Sequence, residues 1–159
     1  MKQLPRFLLL SVIALSSCEM NKSVKADLAT GLSSKGDGLS CNDVFLTAND
    51  EKINRNEFVY GEKFELNFNN IEGFKEVSGG IFPGMKLLVI GKQGDTILYN
   101  ADLYANLTDP TTIKPLQLNT SITIGNPFRS NSSYKAIVHI WDKKGKGTFD
   151  TEFEFNTVA

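Results

Sequence analysis

Phe64, Leu66 and Phe68 alternate with Glu65, Asn67 and Asn69, so one face of residues 62–69 is apolar and the other polar. A period of two over that length predicts a half-buried β-strand. Residues 148–155 repeat the pattern, with Phe149, Phe153 and Phe155 on one face and Asp150, Glu152 and Glu154 on the face turned to water. Residues 86–90 and 134–141 are apolar on both faces and predict central strands. Weaker alternation at 44–47, 96–99 and 116–124 brings the predicted strands to seven, and no segment sustains a 3.6-residue period.

The residues between these segments are turn formers. Asp142-Lys143-Lys144-Gly145 predicts a four-residue hairpin connection with Gly at positive φ, and Gly91-Lys92-Gln93-Gly94-Asp95 predicts another. Phe82-Pro83-Gly84-Met85 has Pro and Gly in the order of a type II turn. Short strands with turns between them predict an all-β fold, a two-sheet antiparallel sandwich of about seven strands. Asn131-Ser132-Ser133-Tyr134, an alternating strand, an Asp-x-x-Gly turn and a final strand together resemble the closing hairpin of immunoglobulin-like and fibronectin type III domains. The resemblance implies an immunoglobulin-like sandwich over residues 43–159. It also implies that Tyr134 is the structural tyrosine corner, its hydroxyl bonded to backbone of the preceding loop. It carries no activity, and the inter-sheet Cys pair of antibody domains is missing. Asn70-Ile71-Glu72-Gly73-Phe74, Phe82-Pro83-Gly84-Met85 and Ile140-Trp141-Asp142-Lys143-Lys144-Gly145 resemble segments of Bacteroidetes envelope lipoproteins, a likeness that implies no particular function.

The N-terminus reads as an address. Lys2 and Arg6 precede nine apolar or small residues at 7–15, which as helix rise only about 14 Å, too short to span a bilayer and right for a signal-peptide core. Leu15-Ser16-Ser17-Cys18 resembles the lipobox of bacterial lipoproteins, which implies cleavage after residue 17 and lipidation of Cys18. Several acyl chains at about 0.8 kcal/mol per buried methylene would make the membrane a permanent partner. Only Glu19 among residues 19–23 is acidic, unlike the several acids of surface-exported lipoproteins, so the expected place is the outer membrane, facing the periplasm. Residues 18–42, rich in Gly, Ser and charge, are expected to be a lipidated flexible tether holding the domain roughly 25–30 Å from the lipid. Cys41 is left without an intramolecular partner and reads as a buried small hydrophobe or as half of an intermolecular disulfide.

Composition narrows the chemistry. A chain of 159 residues with 41% apolar side chains suits one domain with one core. One His and two Cys exclude a disulfide framework, a Cys/His zinc site and most nucleophile–His chemistry. No cofactor is implied. The formal charge of −1 becomes −3 once residues 1–17, which hold Lys2 and Arg6 and no acid, are removed. Nucleic acid is therefore excluded as an expected partner.

With Tyr134 at the corner, Ala136, Val138 and Ile140 point inward, and Ile137, His139 and Trp141 share the outer face of a central strand. That row is a candidate partner-binding surface, because Trp is both a stacking platform for sugars and an interface anchor. The alternative is that the 100–115 connection covers it, or that the face is reversed. His139 alone reads as a surface or hydrogen-bonded histidine. Asp95, Asp102, Asp109 and Asp142 would make a calcium site only by converging on folding; each is otherwise a turn former. Asp95-Thr96-Ile97 resembles the three-residue site of Bacteroidetes O-glycosylation. The expected function is a membrane-anchored, non-catalytic binding or scaffolding lipoprotein that presents its sandwich to an envelope protein or glycan. The alternatives are a small glycan-processing enzyme or accessory domain using paired carboxylates, and a structural spacer without a ligand.

Overall fold

The structure, a computed structural model, describes residues 22–27, 30–112 and 114–159. The expected signal peptide and Cys18 lie outside the described residues. Among the described residues, eleven strands form two facing sheets. They are β1 (Lys22–Asp27), β2 (Leu32–Asp37), β3 (Ser40–Ala48), β4 (Glu51–Ile53), β5 (Glu57–Val59), β6 (Lys63–Glu72), β7 (Pro83–Gly91), β8 (Thr96–Asn100), β9 (Gln117–Thr123), β10 (Ser132–Asp142) and β11 (Thr148–Val158). The larger sheet runs β1-β2-β11-β10-β7-β8, with β5 added to β11, and the smaller runs β4-β3-β6-β9. The expected two-sheet sandwich is the observed fold, and all seven predicted strands are present.

Alternation builds the core. Phe64, Leu66 and Phe68 of β6 face Phe149, Phe153 and Phe155 of β11, and all six are buried. Phe58 of the three-residue β5 is buried too; it stacks on Phe64 at 4.0 Å and meets Phe153 and Phe155 edge-on. Burying each such ring is worth roughly 1.5–3 kcal/mol, so the Phe-rich composition is the folding force of this domain.

Four strands exceed the expected seven, and two of them overturn the tether. Residues 22–27 and 32–37, read as flexible coil, are the antiparallel pair β1 and β2, and β2 pairs antiparallel with residues 148–153 of β11. The inward positions of β2 are Leu32, Ser34 and Gly36, so one apolar side chain carried all the hydrophobic signal. The buried Ser34 hydroxyl is matched to that of Thr151 at 2.8 Å, which removes the cost of placing it there. Lys25 Nζ donates to the carbonyls of Cys41 and Asn42, tying β1 to β3. The domain therefore begins by residue 22, not 43. Beyond β2, β11 continues beside β5, whose pairing with residues 156–158 is parallel, unlike the other strand pairs among the described residues.

Cys41 is buried at the edge of the core, where its Sγ–H donates to the carbonyls of Asp43 at 3.2 Å and Asn69 at 3.3 Å. Burial pushes the thiol pKa up. Of the two readings the structure has the small hydrophobe; an intermolecular disulfide would need exposure this thiol lacks.

The turns hold one agreement and two corrections. Gly94, at φ +84°, closes the β7–β8 hairpin, with Gly91 N–H to Asp95 C=O at 2.8 Å and Gly94 N–H to Gly91 C=O at 2.9 Å. Pro83-Gly84 is not a type II turn but the start of β7, paired with Trp141 and Asp142. Gly145 is absent from the residues with positive φ; a Cβ there would lie 2.2 Å from Asp142 Oδ2, so it makes room for a carboxylate instead of a left-handed turn.

Candidate functional site

Tyr134 sets the parity of β10. Its buried ring packs edge-on against Phe128 at 4.9 Å, and its hydroxyl accepts from Arg129 N–H at 2.7 Å while lying 3.4 Å from the Arg129 carbonyl. Ala136, Val138 and Ile140 are then fully buried, and Ile137, His139 and Trp141 stand part-buried on the outer face of the larger sheet. The face is not reversed.

β10 lies between β11 and β7, so each outward side chain has a neighbour on both sides. His139 pairs with Asp150 and Lys86, Ile137 with Glu152 and Leu88, and Trp141 with Thr148 and Gly84. Leu88, Ile90 and the exposed Tyr99 extend the apolar row toward β8. Lys135 bridges to Glu152 at 3.2 Å and Glu154 at 3.3 Å, and these bonds raise its pKa.

The indole of Trp141 rests on Gly84. A Cβ at Gly84 would fall 2.2 Å from Cε2, 2.4 Å from Cζ2 and 2.7 Å from Cδ2. Cε2 is a ring-fusion carbon whose three in-plane directions are all occupied by bonds. An atom nearest to it therefore approaches through the ring face, so the indole lies face-on over the glycine. The imidazole of His139 follows at 5.6 Å with its plane within 20°. Asp150 Oδ1, 2.6 Å from Nδ1, fixes that ring from the neighbouring strand. Nδ1–H donating to the carboxylate leaves Nε2 as the ring's other polar atom. Around the rings lies a shallow depression of about 470 Å³, lined by Lys86, Ala101, Lys146 and Thr148 among others, a size within the ~300–1,000 Å³ of small-ligand sites.

Of the described residues of the 100–115 connection, Ala101 alone lines this depression. Asp102 pins the connection at the sheet's end, accepting from Met85 N–H at 3.2 Å and Tyr104 N–H at 2.9 Å and pairing with Lys143 Nζ at 2.7 Å. Burial works to raise the Asp102 pKa, but the bonds from Lys143, Tyr104 and Met85 outweigh it and hold the carboxyl below its ordinary value.

The four candidate calcium ligands do not meet. Asp102 is pinned as described, Asp142 is buried with its oxygens accepting from Lys75 N–H at 2.7 Å and Lys144 N–H at 2.9 Å, Asp95 packs beside Gly91, and Asp109 is exposed. Among the described residues no group of three or more His, Cys, Asp or Glu is placed to hold a metal.

Sequence reasoning placed Ile137, His139 and Trp141 on one face but missed Gly84, Lys86 and Asp150, which complete the site. Their signal is register: only once β10 is known to pair with β7 and β11 do residues some 55 positions upstream and 11 downstream of the imidazole become its neighbours.

No protein-family model matches the chain, and no curated protein matches it. Among solved structures, the crystal structure of the C-terminal domain of Wzt superposes with a TM-score of 0.54 over 87% of this chain and 79% of that one, at 5% identity. At that identity the likeness is one of fold: the chain shares a β-sandwich architecture with that domain.

Proposed function

We propose that the protein is a non-catalytic glycan-binding lipoprotein of the bacterial envelope, with Trp141 as its stacking platform. The observation that carries the reading is the indole lying face-on over Gly84 while Trp141, part-buried, lines a shallow depression. A flat aromatic face suits the C–H face of a sugar ring, and Lys86, Thr148 and His139 Nε2 supply bonding partners for hydroxyls around it. Lys2, Arg6, the apolar run 7–15 and Leu15-Ser16-Ser17-Cys18 support anchoring by lipid on Cys18, with the domain in the periplasm.

Because Trp141 is the chain's single tryptophan, its fluorescence reports the site alone. Titrating a panel of envelope oligosaccharides should quench or shift that emission, and calorimetry should show binding lost in Trp141→Ala. Panel members that bind Trp141→Ala as tightly as wild type would overturn the platform. Labelled palmitate should enter the wild-type chain in cells and not Cys18→Ala; equal labelling would overturn the anchor.

A further inference from the structure

Building on the platform reading, we propose that the depression selects glycans bearing acidic groups, with Lys86 and Lys146 as the groups that choose them. Both line the depression beside Trp141. Lys86 sits two residues along β7 from Gly84, on the same outer face, and directly across from His139. Lys146 comes from the β10–β11 connection. Neither forms an ion pair among the described residues, unlike Lys135, held by Glu152 and Glu154, and Lys143, held by Asp102.

The nearby carboxylates are already engaged. Asp142 lines the same depression but is buried, its two oxygens accepting backbone N–H groups. Asp150 is bound to His139. Asp37 neighbours Thr148 from β2, but β2 stands three strands from β7, a separation of about 14 Å. The depression thus presents two ammonium groups that no carboxylate contacts among the described residues. A neutral sugar would use those ammonium groups only as hydrogen-bond donors, whereas an acidic substituent on a ring stacked over Trp141 would also gain their charge. Lysines act as point charges and do not impose the bidentate geometry of arginine, so carboxylate and sulfate substituents share the chemistry.

The test is a tryptophan-fluorescence titration of the purified domain with oligogalacturonate, sulfated chondroitin oligosaccharides and maltotetraose, at low and at 0.5 M salt. The expected result is tighter binding of one or both acidic ligands by tenfold or more over maltotetraose. Lys86→Gln and Lys146→Gln should each erode that preference roughly fivefold, the size of an exposed ion pair, and salt should erase it. Which acidic arm binds tells carboxylate from sulfate. Equal binding of acidic and neutral ligands through Trp141 would overturn the charge selection and leave the platform standing. Binding of none of them would overturn both. Acidic binding unchanged in both lysine variants would overturn the assignment of Lys86 and Lys146.

Discussion

Gly84→Ala tests the seat beneath the indole with a single methyl group. The new Cβ would lie 2.2 Å from Cε2 of Trp141, whereas carbon atoms rest at about 3.5–4.0 Å, so the ring must lift by about 1.3 Å or more. The backbone does not resist: Gly84 lies in regular β7 pairing and is not among the residues with positive φ. Alanine there should recover about 0.5–1 kcal/mol by restricting the unfolded chain and favouring strand. Against this stands the packing under the indole. If the part-buried ring keeps about 100 Å² from water, its whole contribution is roughly 2.5 kcal/mol, and a ring displaced but still present forfeits only part of that. The two terms nearly cancel. Net stability should change by less than about 1 kcal/mol, a melting shift of at most about 4 °C for a domain of this size. The optical change should be large: emission of the single tryptophan moves to longer wavelength and acrylamide quenching rises. Glycan affinity should fall tenfold or more, since the platform is tilted. Emission and quenching identical to wild type would mean that the indole does not rest on Gly84, and the site as described would be lost.

Tyr134→Phe removes the hydroxyl that accepts from Arg129 N–H; leaving that amide short of a partner should cost about 1–2 kcal/mol in urea unfolding without altering ligand affinity. A chain beginning at residue 38 loses β1 and β2 and bares the 148–153 edge of β11; its melting temperature should drop by ten degrees or more, and an unchanged value would restore the tether. Asp102→Asn should show its cost only at neutral pH. The Asp102 carboxyl is depressed in the folded protein, so its stabilisation is complete above the unfolded value of about 3.9 and disappears as pH falls through the lower folded one. Melting curves of the variant and wild type should therefore differ at pH 7 and converge near pH 2. Lys86→Gln and Lys146→Gln should leave melting curves within about 2 °C of wild type, because neither ammonium has an ion-pair partner among the described residues.

Where a strand had an apolar and a polar face, it was readable, as in β6 and β11, because the period of two is the physical consequence of facing a core on one side. β2 was unreadable for the same reason in reverse: it faces the core with Ser34 and Gly36, and its burial rests on a hydroxyl pair with Thr151, 117 residues away. β4 and β5 are three residues each, too short for any period. At the site, β10 showed its outward row because Tyr134 fixed parity. Gly84 was misread because Pro-Gly is a turn signal wherever the strand partner is unknown; here the glycine answers to Trp141, across the sheet. The engagement of His139 by Asp150 was hidden likewise, being a matter of register between β10 and β11 and not of spacing along either.

The way the sheet is held suits β10 to the proposed platform. β10 has a long partner on each side, pairing with β11 over residues 132–141 and with β7 over 134–142. β11 is itself supported by β2 along its first half and β5 along its second. Below, Ala136, Val138 and Ile140 are fully buried, so the strand cannot roll without opening the core. Above, the indole is set by Gly84 and the imidazole by Asp150, and neither ring has much rotamer freedom left to lose. A ligand meeting such a surface avoids the roughly 0.5–1.5 kcal/mol that each mobile side chain would cost to immobilise. That saving matters most for a weakly gripping partner such as a sugar, which buries little area per ring. Rigidity also separates the two roles on the strand: Tyr134 and the inward residues keep β10 in place, while His139 and Trp141, turned the other way, are free to serve a ligand.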